Sequence, residues 1–327
     1  MGKYNGKNNE NLVRTTTLKV VERAKKVKIN REKIKELAEK WIGKKIVVPP
    51  WPKEMHLKTS DDRVMLDYLI ILDALNFCSW SSEEKWHIIY QGKKYHGYFA
   101  LSLALAKFFE EKPEKANLIY LSKISFKEFL SIFDGIGKLL FLKKRWQMVR
   151  AVSLVIAKKY RGDSRRFIMS GRYKLSVLVP KIYHELPFFD DISIYNSKKV
   201  YFLKRAQILG ADIYGAFDGR GVGYFGDLDY LTTFADQKIP QILNHFGILE
   251  YSRKLSEKIR HKKIIKIGSK EEVEIRSAAI WAIEYLKGEL KKSGRKLYSF
   301  EIDWILWNKS QTEKINNPYH LTKTIYY

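Results

Sequence analysis

The stretch Asp218-Gly219-Arg220-Gly221-Val222-Gly223-Tyr224-Phe225-Gly226-Asp227-Leu228-Asp229 decides the fold class. Its glycines match G-x-G-x-x-G, a spacing that lets backbone approach a pyrophosphate in dinucleotide-binding sheets. That reading needs a strand before the first glycine and a helix opening at the last. Neither flank complies: Arg205 to Phe217 upstream reads as helix, and Asp227-Leu228-Asp229 downstream opens none. A glycine-rich hairpin joining two helices is the better reading, with backbone N–H groups that suit a nearby anion.

Outward from this turn the helical signals continue. Pro240 stands where a first helical turn would begin, and that helix ends at Gly247. Ser269-x-x-Glu272 has the spacing of a capping box and opens the clearest helix, Val273 to Leu290. Upstream, Val200 to Leu203 is a short β-prone run, and Tyr173 to Leu186 and Lys143 to Tyr160 carry helical periodicity. Ser125-x-x-Glu128 is a second capping box, Gly97 opens a buried helix to Glu110, and Trp86 to Tyr90 is a short strand. Ser60-Asp61-Asp62 caps an apolar helix that runs to about Phe77. Tyr298 to Trp307 is a mixed apolar segment. No βαβ alternation is present, so the expected class is mainly α with a few short strands.

Pro49-Pro50-Trp51-Pro52 is a stiff break. It divides a basic N-terminal arm, residues 1–47, from a single helical body, residues 48–327. The arm carries 14 Lys/Arg against 5 Asp/Glu. Its first dozen residues, with Gly2, Gly6, Asn8 and Asn9, are expected to fray. Thr17 to Gly43 then reads as basic helix with Asn30 as a cap. Such a charge run is either a solvated helix face or an anion contact.

The whole chain has 61 Lys plus Arg against 36 Asp plus Glu, a net charge of +25, with 45% hydrophobic residues. That balance favours an anionic partner, be it nucleic acid, nucleotide or phosphate. Cys78 is the one cysteine, which excludes an intrachain disulfide and a cysteine-based zinc site. The seven histidines show no metal-ligand spacing, so no metal is expected. The N-terminal stretch lacks the apolar core of a signal peptide, and no run approaches the ~20 apolar residues of a membrane span. The expectation is a soluble cytoplasmic protein.

Several residues invite chemistry. Lys204 and Arg205 fit either a phosphate or a solvated face. Asp227, Asp229 and Asp236 fall within ten residues of one another after the glycine turn. Asp236, before Pro240, is either a helix cap or a catalytic carboxylate partly desolvated by Phe234. Aromatics from Phe77 and Trp80 to Tyr98 are core or a stacking surface for a nucleobase. Trp281 and Glu284, one helical turn apart, are core plus surface charge, or a stacking and hydrogen-bonding pair. His56 follows the Pro-rich break and is structural or a base contact.

A family resemblance then emerges. Leu72-Asp73-Ala74-Leu75-Asn76-Phe77-Cys78-Ser79-Trp80, Gly97-Tyr98 and Phe202-Leu203-Lys204-Arg205-Ala206-Gln207-Ile208-Leu209 resemble signatures of the queuosine salvage family. So do Leu231-Thr232-Thr233-Phe234-Ala235-Asp236 with Ile239-Pro240-Gln241, Val273-Glu274-Ile275-Arg276 with Ile280-Trp281-Ala282, and the closing His320, Thr322 and Ile325-Tyr326-Tyr327. The resemblance runs in order from about residue 50 to 327. It departs at Leu203, where an aromatic is usual, at Phe99 for Trp, at Thr233 for Met, and at Gln237-Lys238 for Tyr-Arg.

The resemblance implies hydrolysis of the N-glycosidic bond of queuosine 5′-monophosphate, releasing queuine and ribose 5-phosphate for tRNA modification. It implies a helical fold related to the helix-hairpin-helix DNA glycosylases, no cofactor, and no need of a stable nucleic-acid complex. Asp236 would be the catalytic carboxylate and Lys204 the phosphate ligand. His56, Asp229, Asp227, Thr232, Phe77, Trp80, Tyr98, Trp281 and Glu284 would complete the substrate site. Two rival readings are a glycosylase acting on damaged bases in DNA or RNA, and a non-enzymatic helical protein that binds nucleic acid. A polymer binder would lose affinity steeply with salt; a nucleotide enzyme would turn over free nucleotide.

Overall fold

The computed structural model describes residues 10–327 apart from Ser82. Of the first dozen residues, expected to fray, residues 1–9 with Gly2, Gly6, Asn8 and Asn9 lie outside the described residues, while Asn11 caps α1 and Leu12 opens it. Among the described residues, helices dominate. They are α1 (Leu12–Val21), α2 (Arg31–Gly43), α3 (Asp62–Leu75), α4 (Gly97–Glu111), α5 (Leu118–Leu121), α6 (Phe126–Ile132) and α7 (Leu142–Lys159). There follow α8 (Ser164–Met169), α9 (Leu175–Glu185), α10 (Lys204–Ala216), α11 (Lys238–His245), α12 (Arg253–Arg260), α13 (Lys270–Lys292) and α14 (Ser299–Thr312). The short strands are β1 (Val27–Ile29), β2 (His87–Tyr90), β3 (Lys93–His96), β4 (Ile192–Tyr195), β5 (Lys198–Tyr201) and β6 (Leu249–Tyr251). They form three antiparallel ladders, β1 with β6, β2 with β3 and β4 with β5.

Caps set most helix starts. Asp61 accepts from the N–H groups of Arg63 and Val64 to open α3. Ser125 and Glu128 form the reciprocal capping box of α6. Ser269 accepts from Glu272 N, while the Glu272 side chain reaches Gly268 instead of Ser269, so that box is half made. The glycine-rich stretch joins α10 to α11 irregularly, with one-turn 3-10 segments at Gly221–Gly223 and Leu228–Tyr230. It therefore builds no dinucleotide fold.

The basic stretch before Pro49 differs from its reading as one long helix. It breaks after α1, and Val27 to Ile29 pair with Leu249 to Tyr251. The Glu274 carboxylate of α13 accepts from the backbone N–H groups of Lys25 and Lys26, which fixes the break. Asn30 caps α2 as expected, accepting from Lys33 N at 3.1 Å. Val13 and Val20 of α1 join the main apolar cluster, while Ile34, Leu37 and Trp41 of α2 join a second cluster with α11, α13 and α14. This stretch is thus packed onto the body.

A third, small cluster holds Phe77, Cys78, Trp80 and Met148. The three clusters meet around one cavity, to which the first contributes Trp51 and Phe234, the second Trp307, and the third Phe77 and Trp80.

Candidate active site

The cavity measures about 290 Å³. Its walls come from segments far apart in sequence: Pro49 to Pro52, Asn76 to Trp80, the start of α4, α10, the start of α11, α14, Tyr319 and Tyr327. Two helices offer stripes at helical spacing. Lys204, Ile208 and Asp212 lie four residues apart on α10, and Asp303, Trp304, Trp307, Asn308 and Gln311 lie on α14.

Asp236 sits on this wall. Its Oδ1 accepts from the N–H groups of Lys238 at 2.7 Å and Ile239 at 3.2 Å, at the start of α11. Among the described residues its other oxygen takes no hydrogen bond. The carboxylate therefore caps the helix with one oxygen and leaves the other uncommitted, on a residue that lines the cavity.

Lys204 is 3% exposed, and its ammonium donates to the Asn76 carbonyl at 3.2 Å. Burial pushes its pKa down, while the charge of Asp236 pulls it back up. Two N–H bonds of the ammonium remain beyond that one. The chain enters α10 through Leu203 at φ 51°, a left-handed conformation costly for leucine. Asp191 holds this turn: its Oδ2 accepts from Lys204 N at 3.2 Å. Arg276 grips Asp191 through both terminal nitrogens, at 2.9 and 2.6 Å. The same guanidinium donates to the Ala235 carbonyl at 2.9 Å, next to Asp236. One buried arginine thus spaces the ammonium from the carboxylate.

Asp303 accepts from Phe234 N at 2.8 Å and from the Thr233 hydroxyl. Burial raises it to about 7, with the Asp236 charge adding to the rise. Asp212 accepts from Trp51 Nε1 at 3.1 Å, and burial raises it to about 6. At the rim, the ammonium groups of Lys85 and Lys238 lie 5.6 and 5.7 Å from the Tyr319 ring centre.

Of the residues read from sequence, Asp236, Lys204, Phe77, Trp80 and Tyr98 meet on the cavity wall. His56 stands just behind, stacked on Trp51 and hydrogen-bonded to Tyr98. The others are elsewhere. Asp227 caps α9, accepting from Leu175 N at 2.6 Å and Ser176 N at 2.9 Å. Asp229 is exposed and pairs with Lys287 at 2.7 Å. Thr232 is buried against Gln207, to which its N–H and hydroxyl donate. Trp281 donates to Thr17 of α1 at 3.1 Å, and Glu284 pairs with Arg14 and accepts from Ser299. These five hold the fold together and line no part of the cavity. Arg205 donates to the carbonyls of Ala74 and Phe188, so it too is structural. The glycine turn also lies off the cavity; Gly226 N donates to Tyr173 O at 2.9 Å.

Sequence reading missed Asp212, Asp303, Trp51 and Trp307. A signal existed for three of them: Asp212 falls two turns after Lys204, and Asp303 and Trp307 are one turn apart in an apolar helix. Among the described residues no group of three or more His, Cys, Asp or Glu could hold a metal ion. No helix among them is long and apolar enough to cross a membrane.

Comparison with known proteins bears on this site. The model of the queuosine salvage protein family matches residues 55–327. A protein of Sphaerobacter thermophilus named queuosine 5′-phosphate N-glycosylase/hydrolase is 39% identical, the match covering 96% of this chain and 97% of that one. The protein of that name in Dictyostelium discoideum is 34% identical over 97% of this chain and 98% of its own. The one in Bos taurus is 26% identical over 94% and 96%. A family match that takes in Asp236, both helical stripes of the cavity and the Arg276 brace means that this chain belongs to the queuosine salvage protein family.

Proposed function

We propose that the chain hydrolyses the N-glycosidic bond of queuosine 5′-monophosphate in the cytoplasm, giving queuine and ribose 5-phosphate. One observation carries the reading: a single aromatic-walled cavity holds a helix-fixed carboxylate, Asp236, and a buried ammonium, Lys204. We read residues 48–327 as the catalytic body, and the α10–α11 passage as the counterpart of the hairpin in helix-hairpin-helix glycosylases. The reading assigns no cofactor and no polymer partner.

The chemistry follows from the base. A 7-deazapurine has carbon in place of the basic N7, so it is a poor leaving group. Positive charge must build at C1′ before the base departs. Asp236, presenting its uncommitted oxygen to the cavity, stabilises that charge and takes a proton from the attacking water. The rings of Phe77, Trp80 and Trp307 offer stacking area for the base. Lys204 binds the 5′-phosphate, with Lys238 and Lys85 at the rim, and so positions the sugar from a point remote from the broken bond.

The test is to incubate the protein with the monophosphate, free queuosine, queuosine-modified tRNA and guanosine monophosphate, and to look for released base. Release from the monophosphate alone is expected. Lys204→Ala should lower kcat/KM on the monophosphate by about thirty- to a thousandfold, the worth of ~2–4 kcal/mol, and on the nucleoside far less. Equal loss on both substrates would place the phosphate elsewhere, and base release only from the polymer would overturn the reading.

A further inference from the structure

The stretch of cavity wall from Asn76 to Trp80 is the exit of α3, and it has no regular structure of its own. A helix leaves its last carbonyls without partners, and a glycine commonly turns the chain away there. No glycine stands at this exit. Cys78 takes φ 43° instead, a left-handed conformation that persists only where neighbours over-determine it. Buried cations supply that constraint. Five consecutive carbonyls, Ala74 to Cys78, each accept from one of three: Ala74 from Arg205, Asn76 from Lys204, and Leu75, Phe77 and Cys78 from Arg145.

Arg145 stands early in α7, 1% exposed and off the cavity wall. Its Nε donates to Leu140 O at 2.8 Å, in the loop that enters α7. One terminal nitrogen donates to Leu75 O, and the other to Phe77 O at 2.5 Å and Cys78 O at 3.4 Å. Among the described residues no carboxylate pairs with this guanidinium; its donors go to backbone alone. The planar fork is what the arrangement needs, because a lysine carries its N–H groups on one atom and cannot span both segments. The guanidinium carbon lies 4.0 Å from the centre of the Phe77 ring. Phe77 lines the cavity and Arg145 does not, so the cation stands behind the ring. Met148, on the same helix, packs in one cluster with Phe77, Cys78 and Trp80.

We propose that Arg145 is the positioning residue for the base half of the site: through the backbone of residues 75–78 it fixes the Phe77 ring, and Trp80 after it, in the pose on which the base stacks, while touching no part of the ligand itself. The inference rests on the glycosidase reading, which gives those rings to the base. The sugar and phosphate half is held by other means. Asp191, gripped by Arg276, takes the Lys204 N–H, and Asp236 is fixed by the start of α11. Loss of Arg145 should therefore be felt at the base and little at the phosphate.

Arg145→Lys is the informative variant, since it keeps the charge and loses the fork. Queuine, titrated by tryptophan emission, should bind about ten- to a hundredfold more weakly, the range that stacking on one ring commands. Ribose 5-phosphate, titrated by calorimetry, should bind within about twofold of wild type. In a Phe77→Leu background the same change should weaken queuine by no more than about twofold, because the ring through which Arg145 acts is gone. Arg145→Gln, whose amide still donates and leaves no buried charge, is the second variant if the first does not fold. Equal loss of both ligands, or a full loss of queuine affinity in the Phe77→Leu background, would make Arg145 merely structural and overturn the proposal. A wild-type protein that neither binds queuine nor cleaves the monophosphate would instead refute the glycosidase reading. Backbone hydrogen exchange then decides the positioning role: in the variant it should speed up at residues 77–80 and stay unchanged at residues 236–239, and an unchanged rate at residues 77–80 would overturn the proposal.

Discussion

Asp236 does two things with two oxygens, and they separate under mutation. Asn in its place can still accept from Lys238 N and Ile239 N, so Asp236→Asn should unfold at a denaturant midpoint close to wild type. It loses the carboxylate charge on the cavity wall. On the order of several kcal/mol of barrier should return, or about a thousandfold or more in single-turnover rate. A variant within tenfold of wild type would remove Asp236 from the reaction. The position was legible because a carboxylate before Pro240 reads as a cap, and the family resemblance marked the same residue. For Asp303 the sequence offers only its one-turn spacing from Trp307 in an apolar segment; the tertiary fold alone brings Thr233 and Phe234 N against it.

At the scale of elements, helix starts were readable because Ser60-Asp61-Asp62, Ser125 and Asn30 supply oxygen at the capping position. The failure at Val27 to Ile29 has a tertiary cause, since Glu274, almost two hundred and fifty residues away, captures the backbone there. Asp227 was misread for a related reason. Within its own segment it looks free, yet it caps α9, more than fifty residues earlier. Arg276 is the brace between elements. Arg276→Met leaves Asp191 buried without its partner, which should cost ~3–5 kcal/mol in chemical denaturation. Adding Asp191→Asn should recover part of that loss, because the stranded charge is gone. A double variant as unstable as the sum of the singles would show that the two residues act independently.

Over the whole molecule, a net charge of +25 has to be carried by the surface. Arg253, Lys254, Arg260, Lys262, Lys263 and Lys266 crowd α12 and the loop after it, all exposed. Self-repulsion of this kind is screened by salt; the Debye length falls from ~30 Å at 0.01 M to ~8 Å at 0.15 M. The melting temperature should therefore rise by a few degrees over that range. A melting temperature that falls would mean that surface ion pairs outweigh the repulsion. The charge sum could be read directly from the chain, and the cavity could not, because it is assembled from segments far apart in sequence. That assembly has an optical consequence. Four of the eight tryptophans, Trp51, Trp80, Trp304 and Trp307, stand on the cavity wall. A deazaguanine seated among them would quench their emission, so the protein carries its own fluorophore for titrating ligands, and loss of activity on heating can be followed in the same cuvette as loss of that signal.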